Sequence, residues 1–196
     1  EIGKSNKFII GGSADLAAST KQIVSDEVFG SQNYSGKTIE FGIREHAMGG
    51  IVNGIALHSN LIPYGSTFLV FSDYMRPSIR LASLMKTNSV FIFTHDSIFL
   101  GEDGPTHQPI EHLMSLRLIP GLEVIRPANN NEILYAYRHA FQNKNNPTAI
   151  VLSRQDMQDL ENNLQYEDFI RGAYEFSAGK DITIFATGSE LEIAKE

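Results

Sequence analysis

Short apolar segments alternate with helical segments along most of the chain, and this alternation constrains the fold more than any other feature. We predict strands at residues 7–10, 37–41, 89–94, 122–125 and 148–152. We predict helices near residues 43–57, 68–85, 110–116 and 131–141. Strands separated by helices at this spacing form a parallel sheet. The sequence therefore predicts an α/β fold, a twisted parallel sheet with helices on both faces.

The chain divides into three parts by composition. Residues 1–155 carry the strand and helix alternation of one domain, and the polar, irregular residues 156–178 are typical of a linker. Residues 179–196 contain a further strand pattern at 181–186 and the beginning of a helix, which we interpret as the start of a second domain. The chain has neither an initiator methionine nor an apolar signal segment at its start, and we interpret both ends as cut from something longer.

Composition excludes several classes of protein. The chain has no cysteine, which removes disulfides, thiolate metal sites and cysteine nucleophiles. Its 16 basic and 23 acidic side chains give a formal charge of -7, and the basic residues form no run, so we expect neither nucleic acid nor a membrane surface as partner. The longest clean apolar stretches have four or five residues. A membrane-spanning helix needs about 20.

Polar side chains follow the most apolar predicted strand, at residues 89–94. Thr-His-Asp-Ser at 94–97 ends this strand, and Gly-Glu-Asp-Gly-Pro-Thr-His-Gln-Pro follows at 101–109. Ligands of parallel α/β proteins bind at the carboxyl ends of strands. His95, His107 and Asp103 are therefore candidates for acid/base chemistry or for binding sugar hydroxyls. The alternative, that these side chains only satisfy the turns of their own loop, is equally compatible with the spacing.

Two further patterns have both a structural and a functional interpretation. Phe68, Phe71 and Tyr74 recur every three residues, which indicates either an aromatic stripe in the core or a wall that stacks on a flat heteroaromatic ring. Glu45 follows Arg44 at the start of an apolar helix. It is either a partner of the helix dipole or of its neighbour, or an inward-pointing proton carrier. Spacing alone leaves both alternatives open.

We predict no metal site and no nucleotide phosphate motif in this chain. His107 and His112 are five residues apart, so on a helix they would point in different directions rather than lie one turn apart. Neither the P-loop pattern nor the G-x-G-x-x-G pattern occurs in the sequence.

Over nearly its whole length the chain resembles the central, pyrimidine-binding domain of transketolases. The matching segments are residues 11–16, 41–48, 67–69, 94–109 and 152–155, and residues 186–190 resemble the opening of the family's third domain. The string Gly-Glu-Asp-Gly-Pro-Thr-His-Gln-Pro at 101–109 is the most specific of them. Residues 156–178 match least.

The resemblance implies thiamine diphosphate as the cofactor and assigns a role to each candidate residue. Glu45 would hydrogen-bond a pyrimidine nitrogen and activate the cofactor, after a tight turn at Gly42. The implied catalytic residues are Glu45, His95 and His107. The implied cofactor-binding residues are Glu45, Phe68, Phe71 and Tyr74. The implied substrate-binding residues are Ser19, His95, Asp103, His107 and Arg154. Magnesium or another divalent cation would be held by a domain absent from this chain.

The function implied by this resemblance is transfer of a two-carbon ketol unit from a ketose phosphate to an aldose phosphate in the pentose phosphate pathway. Transketolases are cytoplasmic homodimers whose active site forms between two chains, so we expect this segment to be inactive alone. Three alternatives stay open at this point. They are dihydroxyacetone synthase, another thiamine diphosphate enzyme, and a non-catalytic α/β binding domain.

Overall fold

The computed structural model of the protein describes residues 6–160 and 163–196. Its six-stranded sheet consists of β1 (Ile9–Ser13), β2 (Thr38–Glu40), β3 (Ile62–Phe68), β4 (Val90–Thr94), β5 (Glu123–Ile125) and β6 (Thr148–Val151). The strand order is β2-β1-β3-β4-β6-β5, and every neighbouring pair is parallel. The predicted α/β fold with a parallel sheet is confirmed.

Helices cover both faces of this sheet. They are α1 (Ala17–Thr20), α2 (Glu45–His58), α3 (Ser72–Met85), α4 (His112–Arg117), α5 (Asn130–Gln142), α6 (Tyr166–Phe169) and α7 (Glu190–Lys195). Side chains alternate across the central strand β4: Phe91 and Phe93 pack with α2 and α3, whereas Val90 and Ile92 pack with α5. None of the helices in the described parts of the chain is long and apolar enough to cross a bilayer.

The sequence patterns missed the central strand β3 and misplaced two boundaries. Residues 62–68 include Pro63 and three small residues, so they lack the β-branched run that marks a strand. They form a strand because β1 and β4 pair with them on either side. The helix predicted from residue 68 begins at Ser72. Strand β1 continues through Gly11 and Gly12, where a glycine turn was predicted.

The strand predicted at residues 181–186 does not form in the described structure. These residues are irregular, and Ile184 and Phe185 are largely exposed. A strand needs a neighbouring strand for its backbone hydrogen bonds, and residues 181–186 join neither edge of the sheet. The helix expected after them is present as α7. Within the predicted linker, α6 packs Phe169 against the apolar cluster beneath α5.

Candidate functional site

The loops that follow β3, β4 and β6 meet at the carboxyl edge of the sheet. Phe68, the last residue of β3, is in register with Thr94, the last residue of β4. The turn Leu69–Phe71 and the loop that begins at His95 are therefore neighbours. Because all six strands are parallel, the segments after them lie on this same edge. The edge brings together residues that are far apart in sequence.

Phe68, Phe71 and Tyr74 form a continuous aromatic wall at this edge. The rings of Phe68 and Phe71 are 6.0 Å apart and 10° from parallel, and those of Phe71 and Tyr74 are 6.0 Å apart and 20° from parallel. They lie on three different elements: the end of β3, the turn after it and α3. Phe68 is buried, Phe71 is half-buried and Tyr74 is 63% exposed. A core stripe would be buried throughout, so the exposure of Tyr74 favours the interpretation as a wall that stacks on a ring.

His95 lies directly on this wall. Its ring is 3.6 Å from that of Phe68, measured between centroids, and 24° from parallel. The backbone of His95 has a φ of +60°, which is uncommon for a residue other than glycine. Its Nδ1 is within 2.8 Å of the Thr94 hydroxyl oxygen. The strand end, the stacking and this hydrogen bond all restrain the ring.

Charged groups of the two neighbouring loops act on His95. Burial lowers the pKa of the His95 imidazole; the negative charge of Asp103 opposes this, and Arg154 and His107 lower the pKa further. The ring is therefore mostly neutral at neutral pH, because its pKa lies below the ordinary value of 6.5. A neutral imidazole can accept one proton and donate another. Asp103, Arg154 and His107 therefore lie close enough to His95, at this edge of the sheet, for their charges to change its pKa.

The second histidine, His107, approaches the wall from the loop at 101–109. Its ring stands edge-on to Phe71 at 5.5 Å and to Phe68 at 6.3 Å. Its Nδ1 is 2.9 Å from the hydroxyl of Thr106. Each histidine thus has its Nδ1 held by the threonine that precedes it. The sequence contains the dipeptide Thr-His at both positions, 94–95 and 106–107, and this repeat is a local signal for the arrangement.

Glu45 is placed by the turn that precedes α2. Gly42 has a φ of +68°, the left-handed conformation that permits the tight turn. Glu45 opens α2 and is only 8% exposed. Arg44 donates to the carbonyl of Phe41 at 3.0 Å and forms no ion pair with its neighbour. The salt-bridge interpretation of Glu45 is therefore wrong, and its position at a helix N-terminus suits a carboxylate.

The remaining predicted site residues are exposed. Asp103 lies in the loop at 101–109 and Arg154 follows β6, and both are close enough to act on His95. Ser19 lies on α1, and within the described residues no hydrogen bond connects its side chain to the histidine loops. The neighbouring Thr20 is buried, with its hydroxyl 3.4 Å from that of Ser66 on β3. The role of each of these residues stays a prediction.

Among the described residues, His112 is the one histidine with two carboxylate neighbours. Its Nε2 is 3.1 Å from Asp73 and its Nδ1 is 3.9 Å from Glu111. The ligand-type atoms of these three residues lie within 4.8 Å of one another. A hydrogen bond to Asp73 holds Nε2 of the buried ring, whereas Nδ1 has no hydrogen-bond partner among the described residues, and both carboxylates are exposed. His107 lies in the loop that leads into α4 and does not belong to this group of three residues.

A flat aromatic surface at the carboxyl edge of a parallel α/β sheet defines a small-molecule-binding domain, suited to a planar ring beside a polar ligand. The family comparison is more specific. Residues 1–159 match the family described as transketolase, pyrimidine binding domain. The chain belongs to the transketolase family.

Individual relatives agree with this assignment. A transketolase of Halalkalibacterium halodurans is 50% identical over an alignment of 192 positions that covers 95% of this chain and 29% of the relative. The crystal structure of a Pichia stipitis transketolase in complex with sedoheptulose-7-phosphate has a TM-score of 0.90 at 42% identity, covering 95% of this chain and 29% of that one. Leishmania mexicana transketolase has a TM-score of 0.90 at 40% identity, covering 95% and 28%. The chain thus spans less than a third of these proteins, and they do not favour the alternatives left open by the sequence.

Proposed function

We propose that this chain is the pyrimidine-binding part of a transketolase that transfers a two-carbon ketol unit from a ketose phosphate to an aldose phosphate. The observation that carries the proposal is the aromatic wall with His95 and His107 against it. The sugar phosphate bound to the Pichia stipitis relative supports this substrate class. With this activity the protein would act in the pentose phosphate pathway of the cytoplasm.

The residues at the carboxyl edge fit thiamine diphosphate. The wall offers the partly exposed rings of Phe71 and Tyr74 to the pyrimidine ring, and Glu45 is a buried carboxyl group without a neighbouring ion pair from Arg44. The cofactor, when bound, supplies the carbanion chemistry that ketol transfer requires. Phe71 and its neighbours in the wall orient the ring, and Glu45 holds a proton at a ring nitrogen. We assign the divalent cation that would bind the diphosphate to a part of the protein outside this chain.

The histidine loops would bind and protonate the sugar. His95 and His107 both have Nδ1 engaged by a threonine, which leaves Nε2 as the atom that exchanges a proton with a substrate oxygen. Asp103 accepts a hydrogen bond from a sugar hydroxyl. Arg154 and Ser19 bind the phosphate, for which a guanidinium group and a hydroxyl are suitable donors.

The proposal includes a homodimer whose active site forms between two chains. Helices α2 and α3 support it because they leave large apolar side chains exposed on the surface. These side chains are Ile51, Leu57, Leu81, Leu84 and Met85. The 196-residue segment alone is then expected to lack ketol transfer.

Glu45→Gln in the full-length enzyme tests the proposal. The amide keeps the shape of the side chain but cannot exchange the proton, so we expect the turnover number to fall by about 10²- to 10⁴-fold at saturating cofactor. Glu27→Gln, at an exposed position before β2, is the matched control and keeps normal turnover. Near-normal turnover of the Glu45 variant would remove this residue from the mechanism, and absence of ketol transfer in the unaltered enzyme would reject the function.

A further inference from the structure

A buried arginine joins three segments of the chain just behind the histidine site. Arg126 follows β5, Asp96 follows β4 and Glu190 opens α7. Nε of Arg126 donates to Oδ2 of Asp96 at 2.7 Å, and the two side chains are only 5% and 1% exposed. The other side of the guanidinium group forms an ion pair with Glu190, in which Nη2 donates to Oε1 at 3.1 Å. We call Asp96, Arg126 and Glu190 the arginine clasp.

The backbone of Arg126 strengthens the attachment of the C-terminal segment. Its carbonyl accepts hydrogen bonds from the Gly188 amide at 3.1 Å and from the Thr187 hydroxyl at 2.9 Å. Its Nη1 donates to the Thr187 carbonyl at 2.8 Å, and Nη2 donates to the Ser189 hydroxyl at 3.2 Å. Residues 187–190 are therefore bound to the carboxyl edge of the sheet through this one side chain and its backbone.

Within the clasp, Asp96 depends on Arg126. The second carboxylate oxygen of Asp96, Oδ1, is buried and has no hydrogen-bond partner among the described residues. A buried carboxylate is costly unless it is paired, so a free Asp96 would rotate towards water. The guanidinium group is what keeps this side chain in place, and Glu190 in turn restrains the guanidinium group from its other side.

Asp96 is joined by one peptide bond to His95, which has the left-handed φ of +60°. A residue other than glycine keeps such a conformation only where its surroundings enforce it. Phe68 holds the ring of His95 from one side, and the buried Asp96 side chain anchors the backbone on the other. Release of Asp96 would allow the loop to relax and the imidazole to leave its stacked position.

We propose that the arginine clasp is the device that positions His95, with the C-terminal segment as its outer arm. Asp96 and Arg126 are positioning residues, because they act on a substrate only through the histidine. The inference rests on the proposed function, in which His95 faces the sugar. A different account is that the clasp only stabilises the fold and attaches residues 187–190. If the clasp positions His95, a change in the clasp lowers turnover only while His95 is present. If the clasp only stabilises the fold, the same change lowers turnover equally with and without His95.

Asp96→Asn in the full-length enzyme, made with and without His95→Asn, separates them. Asparagine tolerates a positive φ, so the His95 replacement keeps the loop conformation accessible. We expect Asp96→Asn to lower the turnover number on the order of ten-fold by misplacing the imidazole, with the cofactor dissociation constant within two-fold of normal. In the His95→Asn background it should cause no further loss. An equal loss in both backgrounds overturns the inference, whereas an inactive unaltered enzyme rejects the proposed function instead.

Glu190→Gln tests the outer arm without altering the buried pair. Glu190 is partly exposed, so this variant folds even where Asp96→Asn does not. We expect a smaller loss of turnover, of about two- to five-fold, that also disappears in the His95→Asn background. Glu123→Gln is the matched control, because Glu123 pairs with His139 at the opposite end of β5. Normal turnover of Glu190→Gln would show that the C-terminal segment does not help to position His95.

Discussion

Gly12→Ala tests whether close approach of β1 and β2 is required for this sheet. A Cβ atom on Gly12 would lie 2.0 Å from the carbonyl oxygen of Ile39 on β2, whereas ordinary contacts begin at 3.4 Å. The two strands would have to separate by about 1.4 Å, the difference between these distances. The obstructing atom belongs to the backbone, so no side-chain rotation can relieve the overlap.

The expected cost follows from the hydrogen bonds that join the two strands. Gly12 and Ile39 are opposite each other in the register, and β2 has only three residues, Thr38–Glu40. A separation of this size disrupts the whole pairing, including the 3.0 Å bond from the Gly11 amide to the Lys37 carbonyl. With about 1 kcal/mol for each of about three bonds, we expect the free energy of unfolding to fall by about 3 kcal/mol. The segment from Gly42 to Glu45 follows β2, so cofactor binding should weaken as well.

Urea denaturation followed by circular dichroism measures this change in the free energy of unfolding. Gly54→Ala is the control, because a Cβ at this position in α2 meets no atom within 4 Å. It should stabilise the protein by about 0.5 to 1 kcal/mol, since alanine favours a helix over glycine. A free energy for Gly12→Ala within about 0.5 kcal/mol of the original would refute the steric argument, because that is the range of neutral surface changes.

Two further predictions concern His95. Thr94→Val removes the hydroxyl 2.8 Å from the His95 Nδ1 and leaves a buried nitrogen unpaired, at a cost of about 1 to 3 kcal/mol. We expect reduced turnover that Thr94→Ser restores, and normal turnover of the valine variant would contradict this. Because burial lowers the pKa of His95, its contribution to stability is complete above pH 6.5, the ordinary value, and is lost as pH falls towards the lowered pKa. Unfolding measured from pH 7.5 to 5 should therefore show a greater loss in the original protein than in His95→Asn, and equal losses would contradict the lowered pKa.

Sequence reasoning was most successful where the signal was local. Strand β4 was predicted from its uninterrupted run of apolar and β-branched residues. Such a run is typical of a strand buried on both faces, and every residue from Val90 to Thr94 is buried. Strand β3 was missed because its Pro63 and small residues carry no such run, although pairing with β1 and β4 makes it central. The strand predicted at residues 181–186 has a suitable composition but no partner in the described structure. Propensity therefore identified candidate strands, and pairing decided which of them formed.

The same division applies to the site. The string at 101–109 and the turn before Glu45 are each contiguous in the sequence, so local patterns supplied their residue types and part of the family resemblance. The stacking of His95 on Phe68 and the approach of His107 to Phe71 depend on the parallel register of β3 and β4.

Arg126 was not found from the sequence at all, because its partners lie 30 and 64 residues away along the chain. Local patterns report which side chains a segment presents and which backbone conformations it favours. They contain no information on which distant segments meet, because that is decided by the pairing of strands and by the burial of charge between them. The sequence by itself thus determined the fold class and the candidate site residues, and only the tertiary structure decided how these residues are held together.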